Sequence, residues 1–244
     1  MAKLQKYIIH ISIVMLVFGL IFMEGILEIK DMAAGQPEDL RCLLCAISGI
    51  PLVENFLDES FLTMKWLLGF SVLVVLTGRE CYVLLKDLKY IAMIRYGSYK
   101  KFYRMLLYQT VCHGFLYGFA GTGITYLLYI WQGNQQISHV TFFRIGMLYI
   151  VHLIFFCLLQ TIFMILTGEY IAGMMLLAGW VIMAMSSHLY FPDFWRYIPS
   201  NWGMYVRTAA ITEHGITNSN VYMQMGICLL LCWLVPDRLR KEQQ

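Results

Sequence analysis

Six long apolar runs separated by short polar segments occupy most of this chain, and no other feature constrains its fold as tightly. They cover residues 7–26, 61–82, 106–130, 142–166, 170–190 and 218–235. Each is close to the ~20 residues that cross a bilayer core as a helix. A backbone in lipid must satisfy its own polar groups, so each run is expected to be an α-helix. The expected fold class is all-α integral membrane, with six transmembrane helices in a single domain over 1–244.

Basic residues set the orientation. With the N-terminus inside, the cytoplasmic gaps hold Lys3, Lys6, Arg79, Lys86, Lys89, Arg95, Lys100, Lys101, Arg104, Arg238, Arg240 and Lys241, 12 of the 18 Lys and Arg. Eight of the 15 acidic residues lie between Glu24 and Glu59, on the other side. The positive-inside rule then places both termini in the cytoplasm. Because topology and anionic headgroups account for the basic residues, the net charge of +3 implies no nucleic-acid partner.

An apolar content of 59% with 14% charged residues excludes a soluble domain of this length. The first run has the basic flank of a signal peptide but continues through Met23-Glu24-Gly25-Ile26 without a small-x-small cleavage site, so it reads as a retained helix. Of the seven Cys, Cys81, Cys112, Cys157, Cys228 and Cys232 fall in or beside the runs, where thiols behave as small apolar groups. Cys42 and Cys45 stand apart in the first outer loop, as a disulfide, a redox pair or two free thiols.

Two polar segments carry information. In 78–104, Leu84, Leu85, Leu88, Ile91 and Ala92 recur at helical spacing while Lys86, Asp87, Lys89 and Arg95 fall largely elsewhere, which predicts an amphipathic helix broken at Gly97-Ser98. It is either a linker lying on the inner leaflet or a docking element. Between the fifth and sixth runs, 191–217 holds two Pro and a dense set of aromatics, including Trp195 and Trp202. Ser200 or Asn201 after Pro199 would cap a short helix, with an aromatic belt at headgroup depth as the simpler reading.

The six-run topology, Ile94-Arg95-Tyr96-Gly97-Ser98 with its basic and aromatic sequel, and Pro199-x-Asn201-Trp202-Gly203-Met204-x-x-Arg207 resemble the permease subunits of bacterial ABC-type transporters. Those permeases have the ABC-2 exporter arrangement and often accompany bacteriocin or lantibiotic systems. The resemblance implies a multi-pass protein of the bacterial cytoplasmic membrane that moves a peptide or lipid-like amphiphile, in export or immunity. It assigns ATPase coupling to 86–104, with Lys86, Lys89, Ile91, Arg95, Tyr96, Lys100, Lys101 and Arg104, and an outer gate to Trp195, Asn201, Trp202 and Arg207. The long acidic loop 27–60 departs from the pattern. No phosphate loop occurs in the chain, so ATP and Mg would be held by a separate ATP-binding-cassette ATPase subunit, and this chain would hold no cofactor or metal and have no catalytic residue. Enclosing a pathway would take a second permease copy or a sister permease, and Gly114 and Gly118 form a close-packing face that could serve between or within subunits.

An intramembrane enzyme is the competing class, because buried polar groups are costly and tend to be functional. Its candidates are Glu24, His113, His152, Gln160, Glu169 and His188, but no His-Glu-x-x-His or Gly-x-Ser-Gly motif accompanies them. His at such positions more often bonds one helix to another. A secondary transporter would require an internal repeat, and none is visible.

Overall fold

The computed structural model describes residues 2–31, 44–50, 60–86, 98–132, 137–192, 194–212 and 215–241. Its framework is six long helices, named here α1 (Ala2–Asp31), α2 (Ser60–Lys86), α3 (Tyr99–Trp131), α4 (His139–Thr167), α5 (Tyr170–Tyr190) and α6 (Asn218–Lys241). Three of them contain stretches long and apolar enough to cross a membrane, Gln5–Leu27, Leu62–Lys86 and His139–Thr167, and a shorter apolar stretch covers Tyr170–Ser186. The perimeter is itself apolar: Leu16, Leu20, Phe119, Phe143, Ile171 and Leu229 are all more than half exposed. Water would penalise such a surface and lipid would not, so this is a helical, membrane-associated protein.

All the long helices but α5 outrun their apolar runs, because hydrogen bonding continues past the hydrophobic boundary until the helix is stopped. Ser98 opens α3 by accepting from the Lys101 amide at 3.3 Å, well before the apolar stretch beginning at Leu106. Ser138 opens α4 in the same way, accepting from the Thr141 amide at 3.1 Å. At the other end of α4, Gly168 takes a left-handed φ of 73°, and its N–H reaches the Met164 carbonyl at 2.8 Å. The chain then turns directly into α5.

α3 and α4 form the centre. α3 packs on α1, α2, α4 and α6, and α4 packs on α2, α3, α5 and α6. A Cβ added to Gly114 would lie 3.1 Å from Ile154, and one on Gly118 would lie 3.1 Å from Ile150. The small-residue face of α3 is therefore filled by α4 of the same chain. Around it runs an aromatic column in which Trp66 stacks on Phe70, Phe70 meets Phe156 edge-on, and Phe156 meets Trp180 edge-on, at 5.2, 5.5 and 5.2 Å between centroids.

Candidate functional site

The segment between α5 and α6 folds as three single 3₁₀ turns, Trp195–Tyr197, Pro199–Asn201 and Tyr205–Arg207. The sequence leads one to expect Ser200 or Asn201 to cap a short helix here; the turn Tyr205–Arg207 instead has Met204 at its N-cap, with no side-chain capping bond. Pro199 starts a turn, but the Asn201 side chain is drawn away from any capping role by two tertiary bonds. Its Nδ2 donates to the Trp195 carbonyl at 2.7 Å, and its Oδ1 accepts from Arg207 Nη1.

Arg207 is the keystone of the segment. Its side chain is fully buried. Nε donates to the Ile50 carbonyl at 2.7 Å and Nη1 donates to the Ala184 carbonyl at 2.7 Å, so one guanidinium ties the 44–50 segment and α5 to its own loop. A planar fork with five donors is the one side chain that can serve acceptors set at such angles. Burying the cation is costly, and charge-assisted bonds to several oxygens offset that cost.

Aromatic and backbone contacts complete the cap. Trp202 is buried against Trp195, Ile216 and Ile227 of α6, and its Nε1 donates to the Arg196 carbonyl at 3.0 Å. The same carbonyl accepts from Asn220 Nδ2 of α6 at 2.9 Å. Ile216 donates to the Arg207 carbonyl and Ala209 to the Ile216 carbonyl, closing a small bridge ahead of α6. Gly49 (φ 92°) and Gly203 allow backbone to approach where no side chain would fit: a Cβ on Gly49 would lie 2.5 Å from Met204 Cβ, and one on Gly203 would lie 2.1 Å from His152 Cγ.

His152 thus lies directly beneath the cap and bonds three helices together. Trp180 Nε1 of α5 donates to His152 Nε2 at 3.3 Å, which places the ring proton on Nδ1. The Gln224 amide of α6 lies 3.0 Å from that Nδ1. Turned half a revolution, it offers Oε1, which otherwise has no partner, as the acceptor.

A second polar cluster sits at the end of the bundle that carries the N-terminus of α1. Lys6 Nζ is 2.8 and 2.9 Å from the two oxygens of Glu80, a residue only 8% exposed. His10 Nδ1 lies 3.0 Å from the Tyr117 hydroxyl and 3.4 Å from Glu80 Oε1. The Tyr7 hydroxyl and His113 Nε2 are 2.9 Å apart. His113 and His152 both act as interhelical hydrogen-bonding groups.

Reading residue types within apolar runs missed Glu80 and His10. The signal that could have found them is the i, i+4 spacing of Lys6 and His10, which turns both toward one neighbour. Of the other polar candidates, Glu24 and Glu169 are exposed, Gln160 is buried between Gly78 and Gly173, and the His188 side chain lies outside the described residues.

The expected coupling residues are only partly described. Lys89, Ile91, Arg95 and Tyr96 lie outside the described residues, as does Cys42; Cys45 is buried. Lys86 ends α2 with its ammonium 5.5 Å from the Tyr82 ring centroid. Lys101 and Arg104 are exposed on the first turns of α3, and Lys100 is half-buried. Among the described residues, no group of three or more His, Cys, Asp or Glu converges as a metal site. Comparison with known proteins finds no matching family model, no matching curated protein and no matching solved structure.

Proposed function

We propose that the chain crosses the bilayer six times with both termini in the bacterial cytoplasm, as a permease subunit of an ABC-type transporter of the ABC-2 arrangement. It moves a peptide or lipid-like amphiphile, in export or immunity, with ATP and Mg held on a partner ATPase and a second permease completing the conduit. The observation carrying this reading is the tightly bonded cap between α5 and α6. A mere tether would not need a fully buried Arg207 joining three segments, nor Gly203 seated on His152 of the central helix. Trp195, Asn201, Trp202 and Arg207 then form an outer gate in contact with α5 and α6. The exposed Lys101 and Arg104, with Lys100 and the 86–97 segment, form the cytoplasmic face that meets the ATPase.

Purification from native membranes tests this directly. The wild-type chain should retain an ATP-binding-cassette ATPase in near-stoichiometric amount. Charge reversal at Lys100, Lys101 and Arg104 with Ile91→Pro should abolish that retention while membrane insertion persists. Trp202→Ala should keep the ATPase and lose export or resistance beyond any loss of protein. A wild-type chain that purifies without such an ATPase overturns the proposal.

A further inference from the structure

The Lys6–Glu80–His10 cluster has a geometry that pairing alone does not explain. Glu80 Oε1 is buried and accepts no aligned hydrogen bond, although Lys6 Nζ lies 2.8 Å away as an ion-pair contact. His10 Nδ1 also lies 3.4 Å from this oxygen, and the same atom is 3.0 Å from the Tyr117 hydroxyl. With its proton on Nε2, His10 accepts from Tyr117 at Nδ1 and has nothing there to donate to the carboxylate. With a proton on Nδ1, it donates to the carboxylate oxygen that lacks a bond. Lys6 has the opposite character: its side chain is 44% exposed, so it can leave for solvent at little cost.

We infer that Glu80, His10 and Lys6 form a proton-binding site in which a protonated His10 replaces Lys6 as the counter-ion of Glu80. One proton from water is taken up at Nδ1. Nδ1, which accepted from Tyr117 while unprotonated, then donates to Glu80 Oε1, and the Lys6 ammonium, keeping its own protons, is released to solvent. Lys6 and His10 stand one turn apart on α1, so the exchange moves the ionic attachment of α1 to α2 by one turn and frees the first turn of α1. The inference goes beyond the transport proposal and stands whether or not an ATPase partner exists.

The charged and titratable groups around His10 fit such an exchange. α1 contributes Lys6 and Tyr7, α2 contributes Arg79 and Glu80, and α3 contributes Tyr117; Cys81, Cys112 and His113 lie beyond them, around Tyr7 and Tyr117. Glu80 is the only carboxylate among them. Lys6 and Arg79 both oppose a further positive charge, and Lys6 is the one His10 can displace. Tyr117 supplies a hydroxyl that donates to neutral His10 and need not do so once Nδ1 carries a proton.

The test is histidine-selective ¹⁵N NMR of the full chain in lipid nanodiscs, with the His10 resonances assigned by their loss in His10→Gln. His10 should take up one proton as the pH falls below about 6.5. Glu80→Gln should lower its proton affinity at least tenfold, and Lys6→Met should raise it measurably. A role confined to packing predicts no such opposed pair of shifts. If Glu80→Gln does not fold, the wild-type titration and the Lys6→Met arm decide. A His10 that stays neutral to pH 5, or whose midpoint is unmoved by Lys6→Met, overturns the inference.

Discussion

Arg207 carries more structural weight than any other single side chain in the cap, and its replacement can be worked through from the bonds it makes. Arg207→Ala strands the Ile50 carbonyl and Asn201 Oδ1 in a buried setting and takes the second, charged donor from the Ala184 carbonyl, which keeps its helical bond. At ~1–3 kcal/mol for each stranded acceptor, and allowing for relief of the desolvation of the cation, the loss is about 3–6 kcal/mol. Arg207→Lys keeps the charge but offers one nitrogen where the fork used two, so at least one acceptor is stranded beside a cation that remains buried. The two variants should therefore be similarly damaged, the reverse of what conservation of charge would suggest. At ~2–4 °C per kcal/mol for a chain of this size, both should melt about 10 °C below wild type. Cys81 and Cys157 are buried, so their reaction with a maleimide dye during heating in detergent micelles reports the transition. Arg196→Ala is the control. Its guanidinium lies over the Tyr197 ring at 5.2 Å, and only its main-chain carbonyl, which the substitution keeps, joins the network. It should cost under ~1 kcal/mol. An Arg207→Ala protein melting within about 2 °C of wild type would refute the reasoning, because three buried acceptors cannot lose a charged donor at so small a cost.

Gly203→Ala should lower the same melting temperature by several degrees, since its Cβ would lie 2.1 Å from His152 Cγ and the ring is held by bonds at both nitrogens; overpacking of this kind costs ~1–3 kcal/mol or more. Gly123→Ala, which meets nothing within 4 Å in mid-helix, should be neutral or slightly stabilising. A cysteine at Ser138, the exposed cap of α4, should react with an impermeant maleimide in intact cells, and one at Gln243 only after permeabilisation, each measured above the wild-type background. The opposite pattern would invert the proposed topology.

The helices were legible because lipid-compatible runs and helical hydrogen bonding coincide over most of their length. The fifth run and α5 share both boundaries, Tyr170 and Tyr190, because Gly168 stops the preceding helix and Pro192 follows two residues after the end. α3 begins well ahead of its apolar run because its N-terminus is set by Ser98 and not by hydropathy. The buried polar groups were less legible. Arg196 and Arg207 look alike in sequence, both basic among aromatics between the fifth and sixth apolar runs. What separates them is where the carbonyls of Ile50 and Ala184 lie, 157 and 23 residues away. Glu80 sits beside Arg79 at the end of an apolar run and reads as a solvated boundary until α1 is folded against it.

These features distribute differently along the bundle, and the distribution has a mechanical consequence. In a membrane, apolar contact alone gives little drive for helix association, so close backbone approach and interhelical hydrogen bonds do the holding. α3 and α4 meet through Gly114 and Gly118 against Ile154 and Ile150, an apolar fit that leaves no room to slide without clash. At the two ends polar contacts join the apolar ones. The Arg207 fork holds one end, and the Lys6–Glu80–His10 group holds the other. Hydrogen bonds and ion pairs can exchange partners with small movements, whereas an interlocked glycine face cannot. Motion in this protein should therefore leave the α3–α4 pair intact and occur by release of the cap between α5 and α6, or of the first turn of α1, about that fixed centre.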